Sequence, residues 1–370
     1  MTHFWKWLAA SGLCAVLGYG MLVLASGLSL PWRPEHFDTQ LANTTQRGWV
    51  NEARYFVLNK DAFSEPGNRV VVLGASTARD PFRPELMEPR LPGWQVANAA
   101  LSGAAVSELG DAVDLYYQER RPGSGRTVFV FALTYLQFVP KTFPQGVDNP
   151  LATEAIRGGL YAREDGALRT QQPEVATDVL TAVMRPQAVA ASLPRRTFTA
   201  VFANPELPWI KSVVDRFRGG DPLALWVKHI GEQRDLDDIT VPLGVQQALL
   251  AQRLAEAGGD RRLPPDEFRR LAALVAMIRA RGDAVVIVDL PLPGWHRAGV
   301  PMADGSYQSG VQAVLAPYAD DPSVDFISLR AFDEDENFFD TGHTEPRLWP
   351  VLSARLAQDL KASPALQARR

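Results

Sequence analysis

The chain has 370 residues, 46% of them hydrophobic and 22% charged, with a formal net charge of -4. That is enough apolar material for one large domain or two medium ones, and the scattered lysines and arginines form no basic stripe, which sets nucleic acid aside as a partner. A single cysteine, Cys14, excludes an internal disulfide and any cysteine-based metal site.

Residues 8–30 carry no charge and are long enough to cross a bilayer as a helix. Trp5, Trp7 and Trp32 bracket the run as interfacial indoles do, and Lys6 with the amino terminus favours a cytoplasmic start, opposed by Arg33. The expectation is an uncleaved, single-pass transmembrane anchor over 1–30 in the inner (cytoplasmic) membrane, with everything from Pro31 onward on the periplasmic side. A cleaved signal peptide with Ala25-Ser26-Gly27 as its cleavage site is the competing reading, although the apolar run is longer than is usual for one. Leu13 ahead of Cys14 argues against a lipoprotein, where a small residue is wanted. Residues 31–69 are polar, aromatic and irregular, with a helix expected around 51–59, and read as a juxtamembrane segment.

The domain proper is expected over 70–362. Residues 70–80 read V-V-V-L-G-A-S-T-A-R-D: four apolar residues make a buried strand, Gly74 permits a sharp turn, and Ser76 falls where strand gives way to helix. A serine there either caps the helix or is a nucleophile at the carboxyl end of a strand, beside backbone N–H groups able to hold an oxyanion. Further strands are expected at 94–98, 127–133, 284–290 and 324–329, and helices at 108–119, 245–257, 265–281 and from Pro346 to about 360. Strands alternating with helices predict a parallel sheet of about five strands in a three-layer α/β/α sandwich. Between about 135 and 264 the rhythm lapses into Pro-rich loops and amphipathic helices, read as a mostly helical insertion.

Near the carboxyl end, Asp340 and His343 stand three residues apart, just before the closing helix. A serine nucleophile needs a base to take its proton, and the base needs a carboxylate to fix its tautomer; one D-x-x-H turn can supply both. The local alternative is that Asp340 caps a turn and His343 is exposed. Of five histidines, His3 and His36 lie in or beside the anchor, His229 in the insertion and His296 in a Pro/Gly loop.

Three separated pieces resemble the SGNH, or GDSL-like, hydrolases. Gly74-Ala-Ser76 resembles the family's nucleophile block with Ala75 in place of aspartate. Asn98-Ala-Ala-Leu-Ser-Gly103 resembles the second block, and Phe339-Asp340-Thr-Gly-His343 the last. The resemblance covers about two-thirds of the chain and implies an SGNH-like fold in which Ser76 attacks, His343 is the base and Asp340 orients it. It also implies that the N–H groups of Ser76 and Gly103 form the oxyanion hole, supported by Gly74 and Asn98. The third block departs: where the family shows G-x-N-D, this chain reads Phe131-Ala-Leu-Thr134-Tyr-Leu-Gln137, leaving Thr134 or Gln137 as substitutes for the missing asparagine. With the expected N-terminal anchor and the run Gly74-x-Ser76-Thr-x-Arg79, the chain resembles a membrane-bound branch that includes D-alanyl transfer and alginate O-acetylation proteins more than a free-standing lipase. That branch implies O-acetyl transfer to an exported polysaccharide beside a multispanning membrane O-acyltransferase partner. A carbohydrate esterase, or an inactive glycan-binding or docking module, are the alternatives.

Other nucleophile and nucleotide motifs are missing: there is no G-x-S-x-G elbow, no G-x-G-x-x-G after a strand and no P-loop, so no cofactor is expected. Asp333-Glu-Asp-Glu336 reads as solvated surface, lacking the spacing of a calcium loop, and no metal is expected.

Overall fold

In the computed structural model, the residues described are 2–29, 63, 65–101, 103–120, 123–139, 161–165, 167–170, 241–256, 262–300 and 305–367. The N-terminal run forms one helix, α1 (Thr2–Ser29), with apolar residues spread evenly around its axis. Trp5, Leu13, Val16 and Met21 are each more than half exposed. Among the described residues, however, no helix is long and apolar enough to cross a membrane. The transmembrane helix expected over 1–30 is therefore not carried by those residues, and the run behind the expectation continues through 25–30, whose side chains lie outside them. Most of the 31–69 segment, including the helix expected around 51–59, also lies outside the described residues.

Beyond it the chain alternates strand and helix. β1 (Asn68–Gly74) leads through short helices α2 (Ser76–Arg79) and α3 (Pro84–Met87) to β2 (Trp94–Asn98), then α4 (Val106–Glu119) and β3 (Thr127–Leu133). After the small strands β4 (Tyr161–Glu164) and β5 (Ala167–Thr170) come α5 (Leu243–Glu256), α6 (Pro265–Ala280) and β6 (Ala284–Asp289). The last elements are α7 (Gly294–Gly299), α8 (Gly305–Leu315), β7 (Val324–Ser328), α9 (Trp349–Ala362) and α10 (Pro364–Gln367). Five strands form one sheet in the order β2-β1-β3-β6-β7, parallel at every pairing. The chain moves outward from β1 to β2, then crosses back to β3 on the other side. Loops leaving β1 and β3 therefore diverge, and a doubly wound sheet places its crevice at the carboxyl ends of such strands.

Strand side chains alternate between two helical layers. Val71, Leu73, Phe129, Phe131, Val285 and Ile287 pack with α4, α6 and α8, whereas Val70, Val72, Val128, Val130, Val286 and Val288 pack with α3, α9 and α10. Coverage of both faces explains why these strands read as unbroken apolar runs rather than as alternation. On α6, Leu271, Leu274, Val275 and Ile278 form the buried stripe, three to four residues apart as a core-facing helix requires. The expected α/β class with a parallel sheet of about five strands is observed.

Two expectations need correction. Pro346 opens a 3-10 turn, Pro346–Leu348, rather than the closing α-helix, which starts at Trp349. An α-helix running from Pro346 would place Pro350 where it has no N–H for the ladder and its ring meets the carbonyl one turn back; starting at Trp349 puts Pro350 in the first turn, where both faults vanish. Within the insertion, the described residues include an antiparallel β4–β5 pair that a mostly helical reading did not anticipate. α5 agrees with the helix expected at 245–257, and most of the remainder lies outside the described residues.

Candidate active site

The nucleophile candidate is placed by β1 and its neighbours. A Cβ on Gly74 would sit 2.5 Å from the Ala132 carbonyl oxygen and 2.7 Å from the Ala78 Cβ, so only glycine lets β1 turn into α2 this closely against β3. Ala75, extended at φ -93° and ψ -168°, occupies the cap position; Ser76 is the first residue of α2 and not its cap. Its backbone N–H is thus the first amide of the helix, with no carbonyl one turn back inside the helix to bond.

The second segment runs alongside. Ala99 N–H donates to the Val72 carbonyl at 2.8 Å and Leu101 N–H to the Gly74 carbonyl at 2.9 Å, prolonging the strand register past β2 as far as the end of β1. Gly103 has φ +67°, a left-handed conformation that favours glycine. Buried Asn98 ties the two loops together: its Nδ2 donates to the carbonyls of Arg79 at 2.9 Å and Phe82 at 2.7 Å, while its Oδ1 accepts from Ala100 N–H at 3.1 Å.

The candidate base arrives from the far end of the sequence. A bridge between Phe338 and Thr344, with Phe339 N–H donating to the His343 carbonyl at 3.2 Å, closes a tight loop. Inside it Asp340 uses both carboxylate oxygens. Oδ1 accepts the amides of Gly342 at 2.8 Å and His343 at 2.6 Å, and Oδ2 lies 2.7 Å from His343 Nδ1. His343 Nε2 is 2.7 Å from Ser76 Oγ. Turn-capping and imidazole binding are thus complementary tasks of one carboxylate. Because an ionised carboxylate only accepts, Nδ1 carries the proton of the neutral ring and bare Nε2 accepts from the Ser76 hydroxyl. The ring of Phe339 stacks on His343 with centroids 5.9 Å apart.

Burial disfavours the His343 cation, yet the Asp340 charge and hydrogen bond outweigh it and raise the imidazole pKa above the ordinary histidine value. Asp340 is likewise penalised by burial, and His343 with the two amides brings its pKa below the usual carboxylate range. Each partner stabilises the charged form of the other, which suits a base that must accept a proton.

Thr134 and Gln137 are engaged with each other. Gln137 Oε1 accepts from the Thr134 amide at 2.7 Å and hydroxyl at 2.9 Å, and Thr134 Oγ1 accepts from Leu136 N–H at 3.2 Å, a reciprocal cap on the 3-10 turn Tyr135–Phe138. The Thr134 hydroxyl thus donates within this turn. Asp333, expected in solvent, instead accepts from Leu292 N–H at 3.0 Å and from Arg297 Nε at 2.5 Å, whereas Glu334, Asp335 and Glu336 are exposed. Among the described residues no cluster of three or more His, Cys, Asp or Glu side chains could hold a metal.

One contact was not legible beforehand. His296, passed over in a Pro/Gly loop, is fully buried between Tyr135 Oη, 2.8 Å from its Nδ1, and the Thr341 carbonyl oxygen, 2.7 Å from its Nε2. The only signal in the sequence is that Tyr135 and His296 both follow strands whose carboxyl ends face the same edge. No protein-family model matches the chain, and no curated protein matches it.

Proposed function

We propose that the protein is a serine acyl-transfer enzyme of the SGNH type. The observation that carries this reading is the unbroken chain Ser76 Oγ, His343 Nε2, His343 Nδ1 and Asp340 Oδ2, with both links at 2.7 Å. Ser76 Oγ attacks an ester carbonyl as its proton passes to His343 Nε2. The oxyanion is held by the backbone N–H groups of Ser76 and Gly103, which Asn98 supports by fixing the loops that bear them. His343 then returns the proton to the leaving alkoxide, giving an acyl ester on Ser76. An acceptor hydroxyl attacks that ester, losing its proton to His343, and collapse of the intermediate restores the serine.

The acceptor we propose is a sugar hydroxyl of an exported or cell-envelope polysaccharide, acetylated beside a multispanning O-acyltransferase partner. Its support is the resemblance of the three motif blocks to the membrane-bound branch, together with α1. The exposed Trp5, Leu13, Val16 and Met21 favour membrane association of that helix, and Lys6 at its start favours a periplasmic placement of the domain. Extraction of the full-length protein from membranes by detergent but not by high salt is the result expected.

The direct test is hydrolysis of p-nitrophenyl acetate, with and without glycan acceptors, by wild type, Ser76→Ala and His343→Ala. Loss of turnover in both variants, with acetylated glycan appearing at the expense of free acetate, supports the transferase. Turnover indifferent to acceptor makes water the acceptor and the protein an esterase. An inactive docking module would show no turnover and no labelling of Ser76 by a fluorophosphonate.

A further inference from the structure

His296 joins three segments that are distant in sequence. Tyr135 follows β3, His296 lies in α7 after β6, and Thr341 is inside the loop bearing Asp340 and His343. The chemistry of its two partners fixes its state. A carbonyl oxygen can only accept, so Nε2 carries the hydrogen and donates to Thr341; Nδ1 of the neutral ring is then bare and accepts from the Tyr135 hydroxyl. Burial disfavours the cation and, against the opposing hydrogen bond to Thr341 and charge of Asp340 and with Arg253 and Arg297 adding to it, lowers the pKa to about 4, so the ring is uncharged at neutral pH. Trp295 stacks on it with centroids 4.1 Å apart.

The Thr341 carbonyl and the Gly342 N–H belong to one peptide group, which is planar. His296 holds the carbonyl end of that plane at 2.7 Å, and Asp340 Oδ1 holds the N–H end at 2.8 Å. Rotation of the plane would break both bonds together. We propose that His296 is a positioning residue for the triad: through the peptide plane between Thr341 and Gly342 it fixes the Asp340 carboxylate and hence the His343 imidazole, with Tyr135 holding it in the required tautomer. The inference rests on the reading of Ser76, His343 and Asp340 as acyl-transfer machinery. His296 touches no reacting atom, and Tyr135 stands one residue beyond Thr134, where the third block departs from the family pattern.

The test compares wild type, His296→Leu, His296→Gln, Tyr135→Phe and Ser76→Ala by p-nitrophenyl acetate kinetics and by hydrogen exchange of the Gly342 and His343 amides. In His296→Leu, kcat is expected to fall roughly ten- to hundredfold at nearly unchanged KM, the scale of a small misplacement of catalytic groups. Both amides should exchange faster. His296→Gln, which can still donate to the Thr341 carbonyl, should recover most of the rate and the protection. Should His296→Leu fail to fold, Tyr135→Phe carries the test, with a smaller loss of kcat in the same direction. A folded His296→Leu, or failing that Tyr135→Phe, with wild-type kcat and wild-type exchange overturns the inference while Ser76-dependent turnover stands. Turnover unaffected by Ser76→Ala overturns instead the acyl-transfer reading, and the amide exchange still decides whether His296 holds the loop.

Discussion

In the proposed mechanism His343 sets the pH at which the site can work. Protonated, it cannot accept the Ser76 proton, and Asp340 raises its pKa despite burial. The acid limb of kcat/KM is therefore expected above the ordinary histidine value of about 6.5, with activity rising as pH rises through it. A limb at or below that value in a pH–rate profile would contradict the coupling. Asp340→Asn should move the limb down and cut kcat by about ten-thousandfold, because an amide opposite Nδ1 favours the wrong tautomer. The site was legible to the extent that chemistry is written in single residues at strand ends: Ser76, Asp340 and His343 stand out by type and order. Thr134 and Gln137 could be named from the third block, but their mutual bond could not, because they cap a turn that no apolar pattern announces. Tyr135 and His296 escaped notice because their relation exists only once β3 and β6 lie side by side.

Among the elements, the junction of β1 with α2 tolerates least. Gly74→Ala would push a methyl into the Ala132 carbonyl and the Ala78 side chain, costing about 1–3 kcal/mol and displacing Ser76. Thermal melts and ester turnover should both fall. Gly110, inside α4, has open space around it, and Gly110→Ala should raise stability by about 0.5–1 kcal/mol with turnover unchanged. The same contrast explains which elements could be read in advance. β1, β3 and β6 are covered on both faces, so burial alone writes them as apolar runs; α6 shows its stripe because only one side is covered. The β4–β5 pair carries little apolar content, and its cue is the Asp165-Gly166 dipeptide between the strands, with Asp165 at φ +51°. α9 begins late because two prolines compete to define its start.

For the whole molecule, stability against pH has a marker away from the triad. Asp289 closes β6 with 2% exposure, its Oδ1 accepts no hydrogen bond among the described residues, and Arg297 and Arg330 come only within 3.9 Å. Burial pushes its carboxyl up to about 6, against 3.8 for the free group. The folded state therefore holds a proton that the unfolded state has released, and this group's contribution to stability declines as pH rises from about 4 to about 6. Relative to wild type, Asp289→Asn should gain on the order of 2 kcal/mol between those limits. Denaturant titrations at pH 4 and pH 7 check it; an equal difference at both would contradict the assignment. The two halves of the proposed chemistry lie 267 residues apart, and the base sits in the last loop before α9. A ribosome that has released the first strand has made a serine without a partner. Only when the final segment has docked against the sheet does that serine gain its imidazole neighbour, so under the proposed chemistry a chain that stops short of the last loop has no base for Ser76.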